Sequence, residues 1–240
     1  MQWATTNWTQ VLAARDAPTA ASRLALEALC QAYWYPLYTF VRRQGLEAED
    51  ARDATQAYFA QLLENGYLED YDPALGRFRV FLMASVRNFL SKERDKTRAW
   101  KRGGRAEIVS LDDDAEGRYR AEPGDRLTPE DVFERRWALT LLERVLGRLR
   151  QEHVAAGRAQ EFERLKPFLT GDEPRAPYRD VAADLGMSES AVKTAVHRLR
   201  QRFGSALRSE IAETVADPDE VDDEVRHLLG VLAPWGARRA

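Results

Sequence analysis

"PYRDVAADLGMSESAVKTAVHRLRQRF", residues 177–203, holds two short helical patterns separated by a glycine. Val181, Ala182 and Leu185 recur on one helical face, the chain turns at Gly186, and Ser188 stands where a helix N-cap belongs. Val192, Val196 and Leu199 then repeat at three and four residues, the spacing of a second buried stripe. Two short helices joined at a glycine follow the grammar of a helix-turn-helix. On the second helix Ser190, Lys193, Thr194, His197 and Arg198 are left facing outward. They mix hydroxyl, cation and imidazole near the end that enters a DNA major groove. Arg200 and Arg202 are better placed for phosphates. The blander alternative is a helical hairpin whose cations only keep it soluble, but glycine turn, cap and basic outer face agree on the DNA reading.

Such a helix is an unexpected tenant of a chain with net charge −3. The charge, however, is laid out in blocks. From Arg77 to Arg105 ten Lys or Arg stand against Glu93 and Asp95, and from Lys193 to Arg208 five cations meet no acid. Between them Asp112 to Asp131 carries eight acids against Arg118, Arg120 and Arg126, and Ser209 to Glu224 holds eight acids and no cation. Two basic patches on an otherwise acidic molecule suit a protein that offers DNA local footholds and little non-specific affinity elsewhere.

Upstream of the quoted stretch the pattern is helical, without strand-like alternation, so an all-α fold is expected. Leu37, Phe40 and Val41 close one helix before Gly45, a natural stop. "AEDARDATQAYFAQLLENG" places Ala51, Ala54, Tyr58 and Leu62 on one face, with acids early, where a helix N-terminus favours them. "RFRVFLMASVRNFLSKERDK" carries Phe78, Phe81, Leu82, Val86, Phe89 and Leu90 as its apolar stripe. These helices predict one small domain over residues 1–105. An acidic linker over 106–128 follows, in which Gly, Pro and acid replace the apolar period. Thr128 as N-cap and Pro129 at the first helical position open a second small domain over 129–212, with Phe133, Trp137, Leu141, Val145 and Leu149 at spacing four.

Other function classes find little support. A single Cys30, three histidines and no paired ligand spacing give a metal little to hold, and no glycine-rich phosphate loop or nucleophile motif is present, so neither cofactor nor catalysis is expected. The opening "MQWATTNW" has no cationic segment followed by an apolar one, and no run of about 18 apolar residues occurs, so a cytoplasmic compartment without a membrane partner is expected. The block "FRVFLMASVRNFLSKERDKTRAWKRGG" interleaves cations with Phe81, Phe89 and Trp100 and includes Asn88. Cations follow phosphates, aromatics offer stacking faces and an amide reads a base edge, a kit for opened, single-stranded DNA. A core helix with a solvated charged tail is the competing reading of that block.

Taken together, "YPLYTFVRRQG", "EAEDARDATQAYFAQLLE", "FLMASVRNFLSKERDKTRAWKR" and "YRDVAADLGMSESAVKTAVHRLR" resemble, in order and spacing, the characteristic regions of extracytoplasmic-function-type (ECF) sigma factors of bacterial RNA polymerase. The resemblance spans about residues 20 to 210. It implies an N-terminal helical domain that grips core RNA polymerase and melts and reads the promoter's minus-ten element, and a C-terminal domain that reads the minus-thirty-five element. Polymerase would then supply most of the basic DNA channel. Carried over by position, Arg87 and Asn88 fall near the loop that captures a flipped promoter base. Lys92, Arg94, Lys96, Arg98, Trp100, Lys101 and Arg102 follow the melted strand, and Glu49, Asp50, Asp53, Gln56 and Phe59 belong to the polymerase-gripping helix. Lys92 replaces an aspartate common in relatives, and "DATQA" replaces the more acidic "DLVQE", with Ala57 where an acid is usual. Two readings of neighbouring Thr55 stay open: a phosphate acceptor for a Ser/Thr kinase, since a phosphate restores about −1.5 to −2 units, or simply a helix residue, with Glu49, Asp50 and Asp53 sufficing for polymerase binding. An anti-sigma factor is the other regulatory partner the resemblance implies.

Beyond that core, residues 213–240 include "DPDEVDDEVRHLLGVL", which reads as an acidic amphipathic helix with Val221, Val225, Leu228 and Leu232 on one stripe. It either folds back on the basic recognition surface or extends the core. The alternatives to a sigma factor are a stand-alone helix-turn-helix transcriptional regulator and a protein-binding adaptor. The basic aromatic block argues against the first, because a repressor has no use for a strand-melting surface.

Overall fold

The computed structural model describes residues 20–64, 77–99, 114–120, 127–170, 176–212, 214–215 and 218–233. Among these the protein is all-α: helices α1 (Ala20–Arg43), α2 (Ala48–Glu64), α3 (Phe78–Ala99), α4 (Ala115–Arg120), α5 (Pro129–Ala155), α6 (Ala159–Leu165), α7 (Pro167–Thr170), α8 (Tyr178–Leu185), α9 (Glu189–Ala212) and α10 (Val221–Leu232), the last preceded by a 3₁₀ turn at Pro218–Glu220. No described helix is long and apolar enough to cross a membrane.

The chain divides into two compact units, one of residues up to Thr140 together with those from Ile211 onward, the other Leu141–Glu210. In the first, Leu37, Tyr38, Phe40 and Val41 of α1, Ala51, Tyr58 and Leu62 of α2, and Phe78, Leu82 and Val86 of α3 are buried together with Val132, Phe133 and Trp137. Each large apolar side chain so enclosed contributes about 1.5–3 kcal/mol relative to exposure. Edge-to-face contacts tie the elements: Tyr33 to Phe78 at 5.6 Å, and Tyr58 to Phe89 at 5.7 Å. Helix α1 ends where expected, for Gly45 takes φ 89, a left-handed conformation that side chains resist, and its N–H donates to Arg42 O at 3.0 Å. Cys30 is buried in the same core.

Helix α5 starts at a reciprocal cap. The Asp131 N–H donates to Thr128 Oγ1 at 3.1 Å, while Asp131 Oδ2 accepts from the Thr128 N–H at 3.1 Å. Its first turns belong to the first unit, whereas the sequence pattern assigns all of α5 to the second domain. The reason is visible at residue level: Arg79 of α3 donates to Glu134 at 2.8 Å and stacks over Trp137 at 4.8 Å. The expected linker also contains structure. Helix α4 seats a fully buried Ala115 and lays Glu116 against α1, where Arg42 Nε and Nη2 each donate to it at 3.1 Å and the Tyr38 hydroxyl donates at 2.7 Å. Arg118 stacks on Tyr35 at 3.7 Å.

The second unit packs Leu141, Val145 and Leu149 of α5 with Phe162, Leu165 and Phe168 and with the α8–α9 pair. His153, buried in it, hydrogen-bonds Leu149 O through Nδ1 at 2.7 Å and lies 5.2 Å from the Phe162 ring.

Candidate nucleic-acid interface

Helix α8 presents Val181 and Ala182 inward and ends at Gly186, which adopts φ 63, ψ 31. In this left-handed turn the Met187 N–H donates to Ala182 O at 2.9 Å and satisfies a carbonyl the helix end would leave open. Two residues on, Ser188 Oγ accepts the Ala191 N–H at 3.2 Å and caps α9. Val192, Val196 and Leu199 are buried beneath α9, so its angular phase is fixed. That phase turns Ser190, Lys193, Thr194, His197 and Arg198 to the exposed side, the row singled out from sequence.

Their partners refine the reading. Lys193 Nζ pairs with Glu189 at 2.7 Å and lies 5.7 Å from the Tyr178 ring centroid, and the carboxylate raises the ammonium's pKa. Thr194 Oγ1 donates to Ser190 O at 3.0 Å, a local bond that a base edge could replace. Arg200 is differently employed: its Nε and Nη2 both donate to Phe168 O, at 3.3 and 3.1 Å, bracing the end of α7 against α9. Arg202 pairs with Glu152 of α5. Sequence placed both arginines on phosphates; the fold gives each an internal acceptor.

In the first unit Asn88 and Lys92 are exposed on α3, and Arg87, half-exposed, pairs with Glu130 of α5 and lies 5.8 Å from the Phe40 ring centroid. Arg94, Lys96 and Arg98 fall on α3, but their side chains lie outside the described residues, as do Trp100, Lys101 and Arg102 entirely. On α2, Glu49, Asp50 and Asp53 are exposed at the N-terminal end and Gln56 is half-buried. Two further residues singled out on α2, Phe59 of the expected gripping surface and Thr55 as the expected phosphate acceptor, are enclosed rather than exposed. Phe59 is 4% exposed, with its ring 5.8 Å from that of Tyr58, and Thr55 is wholly enclosed, its hydroxyl donating to Ala51 O at 2.7 Å. Both lie on the inward row set by Ala51 and Leu62, which the four-residue spacing of 51, 55 and 59 could have revealed.

Sequence reasoning missed one group of residues altogether. Arg79 is 4% exposed and Glu224 of α10 is 1% exposed; they pair directly, while Arg77 Nε reaches Glu224 at 2.9 Å and His227 Nε2 lies 3.0 Å from Glu134. Burial lowers the pKa of Arg79 against the raising influence of Glu134. Burial also opposes ionisation of Glu134, yet the His227 hydrogen bond and the Arg79 charge carry its pKa below the usual carboxylate value. Among the described residues no group of His, Cys, Asp or Glu could hold a metal ion.

No family model, curated protein or solved structure matches the chain.

Proposed function

We propose that the chain is a sigma factor of the extracytoplasmic-function type, binding core RNA polymerase and directing promoter recognition, melting and initiation in the cytoplasm. The observation that carries this reading is the α8–Gly186–α9 arrangement, two helices joined at a left-handed glycine with Ser190, Lys193, Thr194, His197 and Arg198 exposed, which we read as a helix-turn-helix. A buried Val192, Val196 and Leu199 stripe holds that row in one orientation, so a groove meets pre-positioned donors rather than a mobile tail. Lys193 and Arg198 suit guanine's acceptors, and Ser190 and Thr194 bond either donor or acceptor edges. Arg200 braces the scaffold that presents them.

Support for the upstream half comes from α3, which exposes Asn88 and Lys92 and keeps Arg87 in a surface pair that a nucleic acid can displace. The acidic start of α2, Glu49, Asp50 and Asp53, supplies a negatively charged surface for a cationic partner such as polymerase. The reading assigns the chain no catalytic residue. Run-off transcription with core polymerase and a library of candidate promoters tests it. A sigma factor confers specific initiation without another specificity subunit; failure to bind core polymerase, with duplex binding retained, replaces this reading with that of a stand-alone regulator.

A further inference from the structure

The C-terminal helix carries its acid on the inside. On α10 the buried positions are Glu224, Leu228 and Val231, a row at spacing four and three, while Val221, Val225 and Leu232 are only half-buried. The stripe is therefore rotated from the purely apolar one towards Arg77 and Arg79. One Glu224 oxygen meets Arg79 Nη1, and the other lies 2.9 Å from Arg77 Nε with no well-aligned hydrogen bond to it. Arg79 in turn stacks over Trp137. Two arginines side by side accept one oxyanion between their guanidiniums. Glu224 fills that place with a carboxylate.

We propose that α10 is an autoinhibitory strap: Glu224 stands in for a nucleic-acid phosphate between Arg77 and Arg79 of the first unit, and lifting α10 opens that pair to single-stranded DNA. The energetic argument concerns reversibility. A buried ion pair recovers little more than its own desolvation cost, so the clasp is specific in geometry without being strong, and a polyanion that offers Arg77 and Arg79 equivalent oxygens competes with it. His227 strengthens the clasp from the same helix by holding Glu134, which also receives Arg79. Mass action sets the outcome: DNA held close by a larger complex displaces the strap, and dilute DNA does not. The inference rests on the proposed function of the chain as a subunit that handles melted DNA.

The test is salt-dependent binding of a fluorescent single-stranded oligonucleotide to the full-length protein, wild type against Glu224→Gln. The amide keeps the shape and removes the charge. Arg77 is freed while Arg79 keeps Glu134, so the dependence of log K on log salt steepens by about 0.7, the value per phosphate on a single strand. The expected affinity gain at low salt is about tenfold, and it vanishes in the Glu224→Gln/Arg77→Gln/Arg79→Gln combination. Deletion of residues 218–240 is the second variant, with far-UV circular dichroism checking that the remaining helices persist. Unchanged affinity and slope in both folded variants overturn the strap, as does a gain that survives loss of the two arginines. Loss of helix in both variants also overturns it, because α10 is then part of the core and not a removable cover. A failed strap leaves promoter-specific transcription intact, whereas failure of the sigma reading abolishes transcription whatever the oligonucleotide does.

Discussion

Replacing Thr55 with glutamate, the usual imitation of a phosphate, should loosen the first unit instead of switching it on. Thr55 has no exposed surface and its one hydroxyl bond goes to Ala51 O within the same helix. A carboxylate forced into that position either ionises without solvent or keeps its proton, and fully buried carboxyls shift upward by up to about 3–5 pKa units. At about 1.36 kcal/mol per unit the ionised form costs about 4–7 kcal/mol, a large part of the roughly 5–15 kcal/mol that holds a domain together. Thr55→Val keeps the shape and removes only the hydroxyl, so it should stay within about 1 kcal/mol of wild type. Chemical denaturation followed by tryptophan fluorescence reads the difference, since Trp34 and Trp137 are both buried in this unit. The sign with pH is fixed. The buried carboxyl's folded pKa lies above its unfolded value of about 4.3, so the unfolded chain releases its proton first and the penalty grows as pH rises from that value. Thr55→Glu within about 1 kcal/mol of wild type at neutral pH, or Thr55→Val as unstable as Thr55→Glu, refutes the reasoning. If it stands, a kinase reaches Thr55 only when α2 has lifted from its neighbours.

Ser188→Ala removes the acceptor for the Ala191 N–H and should cost about 1 kcal/mol, read as lost hydrogen-exchange protection at the start of α9, with Ser188→Asp retaining most of it. Tyr38 is held protonated up to about 12 by burial first and by its bond to Glu116 second, against an ordinary value of 10.0. Because the folded value is the higher, stability should fall as pH climbs from about 10 towards 12; phenolate absorbance should show a late-titrating component that Tyr38→Phe reduces. Lys193→Ala and Arg198→Ala, both exposed, should leave stability within about 0.5 kcal/mol and weaken binding to a cognate duplex by about 1–3 kcal/mol. The five cations of Lys193–Arg208 set a ceiling of about 4.5 on the salt slope for duplex DNA, at about 0.9 per phosphate. The measured slope should fall short of it, because Lys193 and Arg202 must first leave Glu189 and Glu152; Glu189→Gln and Glu152→Gln should each steepen it.

What was legible in the sequence was whatever a short-range rule governs. Gly186 and Gly45 mark left-handed turns because few other residues tolerate them, Thr128 and Ser188 cap because their oxygens reach the next turn, and the Phe133-to-Leu149 stripe of α5 is buried as its spacing requires. Charged residues at core positions defeated the same rules. Arg79 shares a helical row with Leu82, Val86 and Leu90, and Glu224 shares one with Leu228 and Val231, so each position reads as buried while its chemistry reads as exposed. The contradiction resolves only when the two meet across 145 residues of chain, a distance that periodicity does not span. Helix α4 was hidden for another reason. Six residues are too short to show a period, and what holds them is the Glu116 contact with Arg42 and Tyr38 of α1.

The same pairs show why net charge is a poor guide to the field this chain would present to a polyanion. Glu134 and Glu224 are spent on Arg77, Arg79 and His227, and Glu210 lies 3.7 Å from Arg144 with both side chains nearly enclosed. Acids placed so deep present little field outside, and the arginines they hold present little either. What an approaching strand senses is the exposed remainder, which on α9 is a cationic row flanked by Glu189 alone at its first turn. Nearby exposed charges act within about 8–10 Å at physiological salt, so this local row outweighs acids elsewhere on the surface once a strand is seated, while those acids repel DNA that is not. Under the proposed function, a formally acidic chain would gain selectivity from its sign, binding DNA poorly at large and well where a partner sets its basic row against the groove.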